Sequence, residues 1–221
     1  MDNLNIGHRE RLRQKFIEHK ITDNEILELL LCYAVPRRDM KPVMKRLLVE
    51  FGNIRSVMNA PIERLKSIKG IGQSTAIFIK AVHELMLLGH RHYFNENPVF
   101  RDYESLCNYC KAALGGKPIE EFHVLYLDAN YRLISDDTHS TGTIDWAAVY
   151  PREILKRALD LNSRHVILLH NHPEQSPVFS GDDLRITKAL VGILKVVGIE
   201  VFDHLLVSGD TVYSAKNLGI L

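Results

Sequence analysis

The run His165-Val166-Ile167-Leu168-Leu169-His170-Asn171-His172-Pro173 carries an apolar segment straight into two histidines, and Ser180-Gly181-Asp182-Asp183 follows after a short loop. In an extended segment, residues two apart share a face. His170 and His172 therefore aim their imidazoles at one point just past the end of a strand. Pro173 stops that strand, and Asp183 returns where a new helical pattern begins. Two neutral imidazoles and one carboxylate suit a zinc ion whose fourth position stays open for water, the catalytic rather than the structural arrangement. The alternative is a pair of surface histidines beside a turn, with Ser180 as a plain helix N-cap. The proline, the strand in front and the helix-starting Ser-x-x-Asp favour the metal. The expectation is a metal-dependent hydrolase, or a descendant of one.

Strands and helices alternate around this run. Asp102–Leu114 reads as a helix ended by Gly115-Gly116, and Phe122–Leu127 and Tyr131–Ser135 read as strands. A helix with proline in its first turn runs from Tyr150 to Leu161. Strand 165–169, helix 183–197, strand 199–207 and a short strand 211–214 complete the pattern. Such alternation predicts an α/β fold, a sheet covered by helices. Residues 7–90 differ: helices at His8–His19, Glu25–Tyr33 (capped by Asp23), Pro42–Phe51, Ile62–Ile68 and Ser74–Leu88 follow one another across short turns. A polar stretch with Pro98, residues 91–100, reads as the linker, giving domains 1–92 and 100–221.

A chain of 221 residues, 46% hydrophobic and 25% charged, can bury one or two cores. No apolar stretch approaches the roughly 20 residues of a membrane span. Met1–Ile6 lacks the basic and apolar regions of a signal peptide. Three cysteines, Cys32, Cys107 and Cys110, do not make a disulfide framework. The expectation is a cytoplasmic protein without membrane contact. The net charge of +1 hides an asymmetry: residues 1–95 hold 16 Lys+Arg against 10 Asp+Glu, and residues 96–221 hold 12 against 17. A basic front half suits an anionic partner such as nucleic acid, or is simply a solvated helical surface.

Ile68-Lys69-Gly70-Ile71-Gly72-Gln73-Ser74 lies between two helical runs, a helix-hairpin-helix form. Glycines let a backbone approach phosphate closely, and the free amides of the next helix point at the anion. Lys69, Gly70 and Gly72 are the candidate DNA contacts, to backbone rather than bases. The alternatives are a tight packing turn and a protein-docking element.

Water activated at a metal needs a general base, usually a carboxylate from another strand. Glu120 and Glu121 stand before the first predicted strand, where their side chains oppose each other and only one faces the metal. Pro173, six residues, Ser180, two more and Asp183 reproduce the spacing of the JAMM (MPN+) signature. Gly142-Thr143-Ile144-Asp145, Val149-Tyr150-Pro151-Arg152-Glu153-Ile154 and Asp203-His204-Leu205-Leu206-Val207 resemble the bacterial RadC family, often labelled DNA repair proteins. So do His8-Arg9-Glu10-Arg11-Leu12, Glu25-Ile26-Leu27-Glu28-Leu29-Leu30 and the Gly70-Ile71-Gly72 turn. The resemblance implies a C-terminal JAMM/MPN domain, a cytidine-deaminase-like mixed sheet flanked by helices, behind an all-α helix-hairpin-helix domain. It implies one zinc per chain on His170, His172 and Asp183. It also implies Ser180 steadying the oxyanion or water, and Glu120 as base with Glu121 as runner-up. Glu174-Gln175-Ser176 and Gly181-Asp182 depart from the family's usual Ser-Gly-Asp and Arg-Glu, which affects loop contacts to substrate and not the ligand set.

Other candidates read more plainly. Cys107 and Cys110 share a helix face without a second pair for a metal. His204 resembles a family position beside the site and reads as a buried histidine bonded to backbone, with a ligand-orienting role as the alternative. Asp136-Asp137 reads as a polar strand end, Trp146 as packing, and His123 and His139 have no nameable partner. The function expected is a zinc metallohydrolase of peptidase or isopeptidase type, acting on a protein or peptide and linked by resemblance to DNA repair. The rivals are a metal-dependent nuclease and a non-catalytic DNA- or protein-binding adaptor.

Overall fold

The computed structural model describes residues 7–142, 149–174 and 176–221; Thr143–Asp145 of the family-like segment, Trp146 and Gln175 lie outside the described residues. The chain divides into two compact units, Met1–Glu84 and Leu85–Leu221.

The first unit contains α1 (His8–Ile17), α2 (Asp23–Ala34), α3 (Lys41–Phe51), α4 (Ile54–Asn59), α5 (Ile62–Lys66) and the start of α6 (Gln73–Glu96). Thr22, not Asp23, caps α2: its hydroxyl accepts from the Glu25 N–H while the Glu25 carboxylate returns to the Thr22 N–H. Leu27, Leu31, Met40, Val43, Leu47, Leu65 and Ile79 form the core of this unit. The stretch expected as a linker is helical through Glu96. Its polar composition hides one apolar stripe, because Leu87 and Phe94, two turns apart, are both buried.

The second unit continues with a 3-10 turn at Val99–Arg101, α7 (Tyr103–Leu114), β1 (Glu121–Leu127), β2 (Leu133–Thr141) and α8 (Pro151–Asp160). It ends with β3 (His165–His172), α9 (Gly181–Val196), β4 (Glu200–Ser208) and β5 (Thr211–Ser214). Among the described residues, five strands make one mixed sheet in the order β2-β1-β3-β4-β5. Only β3 and β4 run parallel; the other pairs are antiparallel. The fold is therefore a mixed α/β sheet behind a helical N-terminal region.

Side-chain parity assigns the two faces. Leu125, Leu127, Ile167 and Leu169 pack with Leu106, Tyr109, Cys110 and Leu114 of α7. Phe122, Val124, Tyr126, Val166 and Leu168 pack with Ile154 and Ala158 of α8 and Ile186, Leu190 and Leu194 of α9. Even-numbered residues of β1 and β3 thus face α8 and α9, and odd-numbered ones face α7. β2 extends to Thr141, well past the expected Ser135. Its polar residues are absorbed singly: Asp136 meets His123, while Asp137 meets Arg157 of α8. The two aspartates point to opposite faces and form no acidic pair. Among the described residues, no helix is long and apolar enough to cross a membrane.

Candidate metal centre

β3 runs through His172, so both histidines lie within the strand rather than beyond it. Pairing with β4 continues to His172–Ser208, which holds the end of β3 in extended geometry as far as Pro173. Both imidazoles occupy even positions and face α9. That helix begins with a capping box: Ser180 Oγ accepts from the Asp183 N–H at 3.1 Å, and Asp183 Oδ2 accepts from the Ser180 N–H at 2.7 Å. The box fixes the Asp183 carboxylate at the mouth of the helix, against the end of β3.

Glu120, His170, His172 and Asp183 each bring one ligand atom to within 4.8 Å of the others. His170 Nε2 and His172 Nε2 are 3.2 Å apart. His170 Nε2 lies 3.3 Å from Asp183 Oδ1, and His172 Nε2 lies 3.3 Å from Asp183 Oδ2. A tetrahedral ion with bonds of about 2.0–2.1 Å sets its ligand atoms roughly 3.3–3.4 Å apart. The triangle formed by the two nitrogens and the carboxylate therefore suits such an ion: the nitrogens stand at ligand separation, and each has its own carboxylate oxygen at 3.3 Å. The tautomer of His172 agrees: its Nδ1 is 3.1 Å from the Ser176 carbonyl, which can only accept, so a neutral imidazole presents a bare Nε2. Two imidazole nitrogens and a carboxylate crowding one point form an arrangement that a cation resolves.

The electrostatics follow the geometry. Burial pushes the Asp183 carboxyl upward, but hydrogen bonds with His170 and His172 outweigh it and hold the group far below the usual carboxylate range. The Asp183 hydrogen bond raises His172 despite its partial burial. His204 is fully buried, and that burial drives its affinity for a proton well down.

The glutamates separate as their parity demands. Glu121 turns toward α7, where its carboxylate meets Lys117 at 2.6 Å and His123 at 3.0 Å. Glu120 turns to the metal side, with Oε1 3.7 Å from His172 Nε2. A residue missed in the sequence holds it there. Asn171, pointing away from its two histidine neighbours, accepts from the Glu121 N–H at 2.9 Å and donates to the Ile119 carbonyl at 3.2 Å. These bonds clamp the backbone on both sides of Glu120. The available signal was the odd position of Asn171 between two even ligands.

The His204 ring is bonded to side chains, where the simpler sequence reading expected backbone. Its Nε2 is 2.9 Å from His170 Nδ1, and its Nδ1 is 2.6 Å from Thr187 Oγ1. A groove of about 830 Å³ opens over the centre, with Glu120, His172, Glu174, Phe179 and Ser180 among its walls. Ser180 lines this groove but is not among the four clustered groups.

Lys69, Gly70 and Gly72 belong to the first unit. The Lys69 carbonyl accepts from Arg46 Nη2 at 2.7 Å. Gly70 has φ +107°, and a Cβ there would stand 2.9 Å from Val43 Cγ2. The turn is thus tightly packed at Gly70, whereas a Cβ at Gly72 would meet nothing within 4 Å. Cys107 and Cys110 are free thiols.

Residues 100–220 match the family model of the RadC-like JAB domain. The chain belongs to that family.

Proposed function

We propose that this RadC-like JAB chain is a zinc-dependent hydrolase of the peptidase or isopeptidase type. The observation that carries the reading is the triangle of His170 Nε2 and His172 Nε2, 3.2 Å apart, with the Asp183 carboxylate, whose Oδ1 and Oδ2 lie 3.3 Å from the first and the second nitrogen, and a groove in front. These three groups would hold the ion. Bound there, zinc would lower the pKa of water to about 7 and act as a Lewis acid toward a carbonyl. Glu120 stands at the edge of the triangle, on the groove, where a proton acceptor is needed. It takes the proton of the attacking water and returns it to the leaving amine. The Ser180 oxygen already accepts the Asp183 N–H, so its own proton is free to support charge on the tetrahedral oxygen. An amide or isopeptide is the bond class that the family resemblance suggests.

In the N-terminal unit, Lys69, Gly70 and Gly72 are the proposed contacts to a DNA backbone. Arg46 and Arg38 support this, their Nη2 atoms lying 3.4 and 3.5 Å from the Cβ position of Gly70. The setting we propose is cytoplasmic.

The test incubates the purified protein with linear peptides, isopeptide-linked conjugates and DNA, each with zinc and with chelator. The expected result is zinc-dependent amide cleavage that Glu120→Gln lowers by about 10²-fold or more. Zinc-dependent cleavage of DNA alone would replace the peptidase reading with a nuclease. Cleavage indifferent to both chelator and Glu120→Gln would overturn the mechanism.

A further inference from the structure

We infer that His204 and Thr187 are positioning residues that preset His170 for metal before any ion arrives. The inference rests on the zinc reading above, but its central claim concerns the metal-free protein. Three contacts form one chain of hydrogen bonds. Thr187 Oγ1 is 2.6 Å from the Asp183 carbonyl oxygen, and His204 Nδ1 is 2.6 Å from the same hydroxyl. His204 Nε2 is 2.9 Å from His170 Nδ1.

The direction of every proton in this chain is fixed at one end. A carbonyl oxygen only accepts, so the single hydroxyl proton of Thr187 goes to Asp183. The hydroxyl oxygen must then accept from His204, whose Nδ1 carries a hydrogen. His204 is 0% exposed, and among the described residues its ring bonds a hydroxyl and another imidazole, so no anion is hydrogen-bonded there to offset a second ring proton. A neutral ring with hydrogen on Nδ1 has a bare Nε2, which must accept from His170 Nδ1–H. His170, its Nδ1 so engaged, turns Nε2 to the candidate site, 3.2 Å from His172 Nε2 and 3.3 Å from Asp183 Oδ1. Reversing any one bond would set two hydrogens or two lone pairs face to face in a buried site, at the cost of an unmade hydrogen bond.

The chain also closes a circuit. It starts at the backbone of Asp183 on α9 and ends at the side chain of His170 on β3, so one proton order ties two proposed ligands from different elements. Phe122 and Phe179 ring the same imidazoles, with centroids 5.9 and 5.1 Å from that of His204, and keep water from competing for these bonds. Partners that orient a metal-bound histidine typically change metal affinity 10- to 100-fold when removed.

Two measurements test this. Long-range proton–nitrogen correlation spectra of the chelated, metal-free protein should show His170 protonated on Nδ1. Chelator-competition titrations should show Thr187→Val binding zinc about tenfold or more weakly, with Thr187→Ser restoring wild-type affinity and His204→Phe losing at least as much as Thr187→Val. Valine preserves the shape of threonine, so a role in packing alone would leave zinc affinity unchanged in Thr187→Val, and that result would overturn the inference. So would His170 protonated on Nε2 alone in the metal-free protein. A wild-type chain that binds no zinc refutes the function proposed above, and the tautomer spectrum then still decides the proton order.

Discussion

Removing His172 should abolish the stabilisation that zinc confers on the second unit. The unfolded chain has no assembled triangle, so zinc bound only to the folded form stabilises it by RT ln(1 + [Zn]/Kd), about 2.7 kcal/mol at a hundredfold excess over Kd. For a domain of this size each kcal/mol moves Tm by roughly 2–4 °C, so the expected rise is about 5–11 °C over the chelated protein. His172 supplies one of three donor groups: its Nε2 is 3.2 Å from His170 Nε2 and 3.3 Å from Asp183 Oδ2. Two donors leave an open, two-coordinate site, and His172→Ala should show a shift below about 2 °C at the same zinc concentration. Glu120 lies outside the triangle, 3.7 Å from His172 Nε2, so Glu120→Gln should keep most of the wild-type shift while losing turnover. Thermal unfolding followed by near-ultraviolet circular dichroism, with zinc and with chelator, measures all three proteins. A wild-type Tm indifferent to zinc would refute the reasoning. So would a His172→Ala protein stabilised as strongly as the wild type.

The buried chain Lys117–Glu121–His123–Asp136–Tyr109 gives the second unit a pH dependence of its own. Burial opposes ionisation of Glu121, but His123 and Lys117 outweigh it and hold the carboxyl at about 2 against an ordinary 4.5. Its stabilisation, at most about 3 kcal/mol, is complete above pH 4.5 and is lost as pH falls toward 2. His123 is raised above 6.5 because Asp136 and Glu121 outweigh its burial, so its contribution is complete below 6.5 and is lost as pH rises through the higher value. Urea unfolding across pH should therefore give a plateau near pH 4.5–6.5 that His123→Gln lowers on both flanks; an unchanged profile would dismiss the network. Asn171→Ala leaves the Glu121 N–H and Ile119 carbonyl without their partner, and should cost about 1–3 kcal/mol in chemical denaturation. It should also lower turnover more than zinc affinity. Gly70→Ala should cost about 1–3 kcal/mol from its φ of +107° and the Val43 contact. Gly72→Ala should be close to neutral in stability, and a salt-dependent loss of duplex affinity in that variant would assign the turn to DNA rather than to packing.

How much of this was legible depended on whether a feature was local. The clustering of His170, His172 and Asp183 was, because strand period and a helix-starting Ser-x-x-Asp are encoded within a few residues. The opposition of Glu120 and Glu121 was legible for the same reason. The length of β2 was not: Asp136 and Asp137 read as a polar end and His139 had no nameable partner, yet each finds one on another element, in His123, Arg157 and Tyr126. The last turns of α6 were hidden likewise, since one buried Phe94 among polar neighbours carries no period by itself. The His204 contacts were out of reach because they require the register of β4 against β3 and the angle of α9 together.

That register turns on one irregularity. Val166 pairs with Val201, but Ile167 pairs with Asp203, so Phe202 is an extra residue in β4. From that point Leu168 sits beside His204 and Ile167 beside Asp203. Residues paired across a sheet share a face, so the bulge sends His204 to the α9 side with Leu168 and His170. It sends Asp203 to the α7 side, where it accepts from Ser214 Oγ and the Lys216 N–H. Were Phe202 instead paired regularly with Ile167, the two would exchange faces: Asp203 would stand opposite Leu168, on the side of His170, and His204 would turn away from it. The candidate metal centre is thus positioned by three parities at once, that of Glu120 just ahead of β1, of the two histidines in β3 and of His204 in β4. The bulge at Phe202 is the local departure from strand regularity that brings the third into phase with the other two.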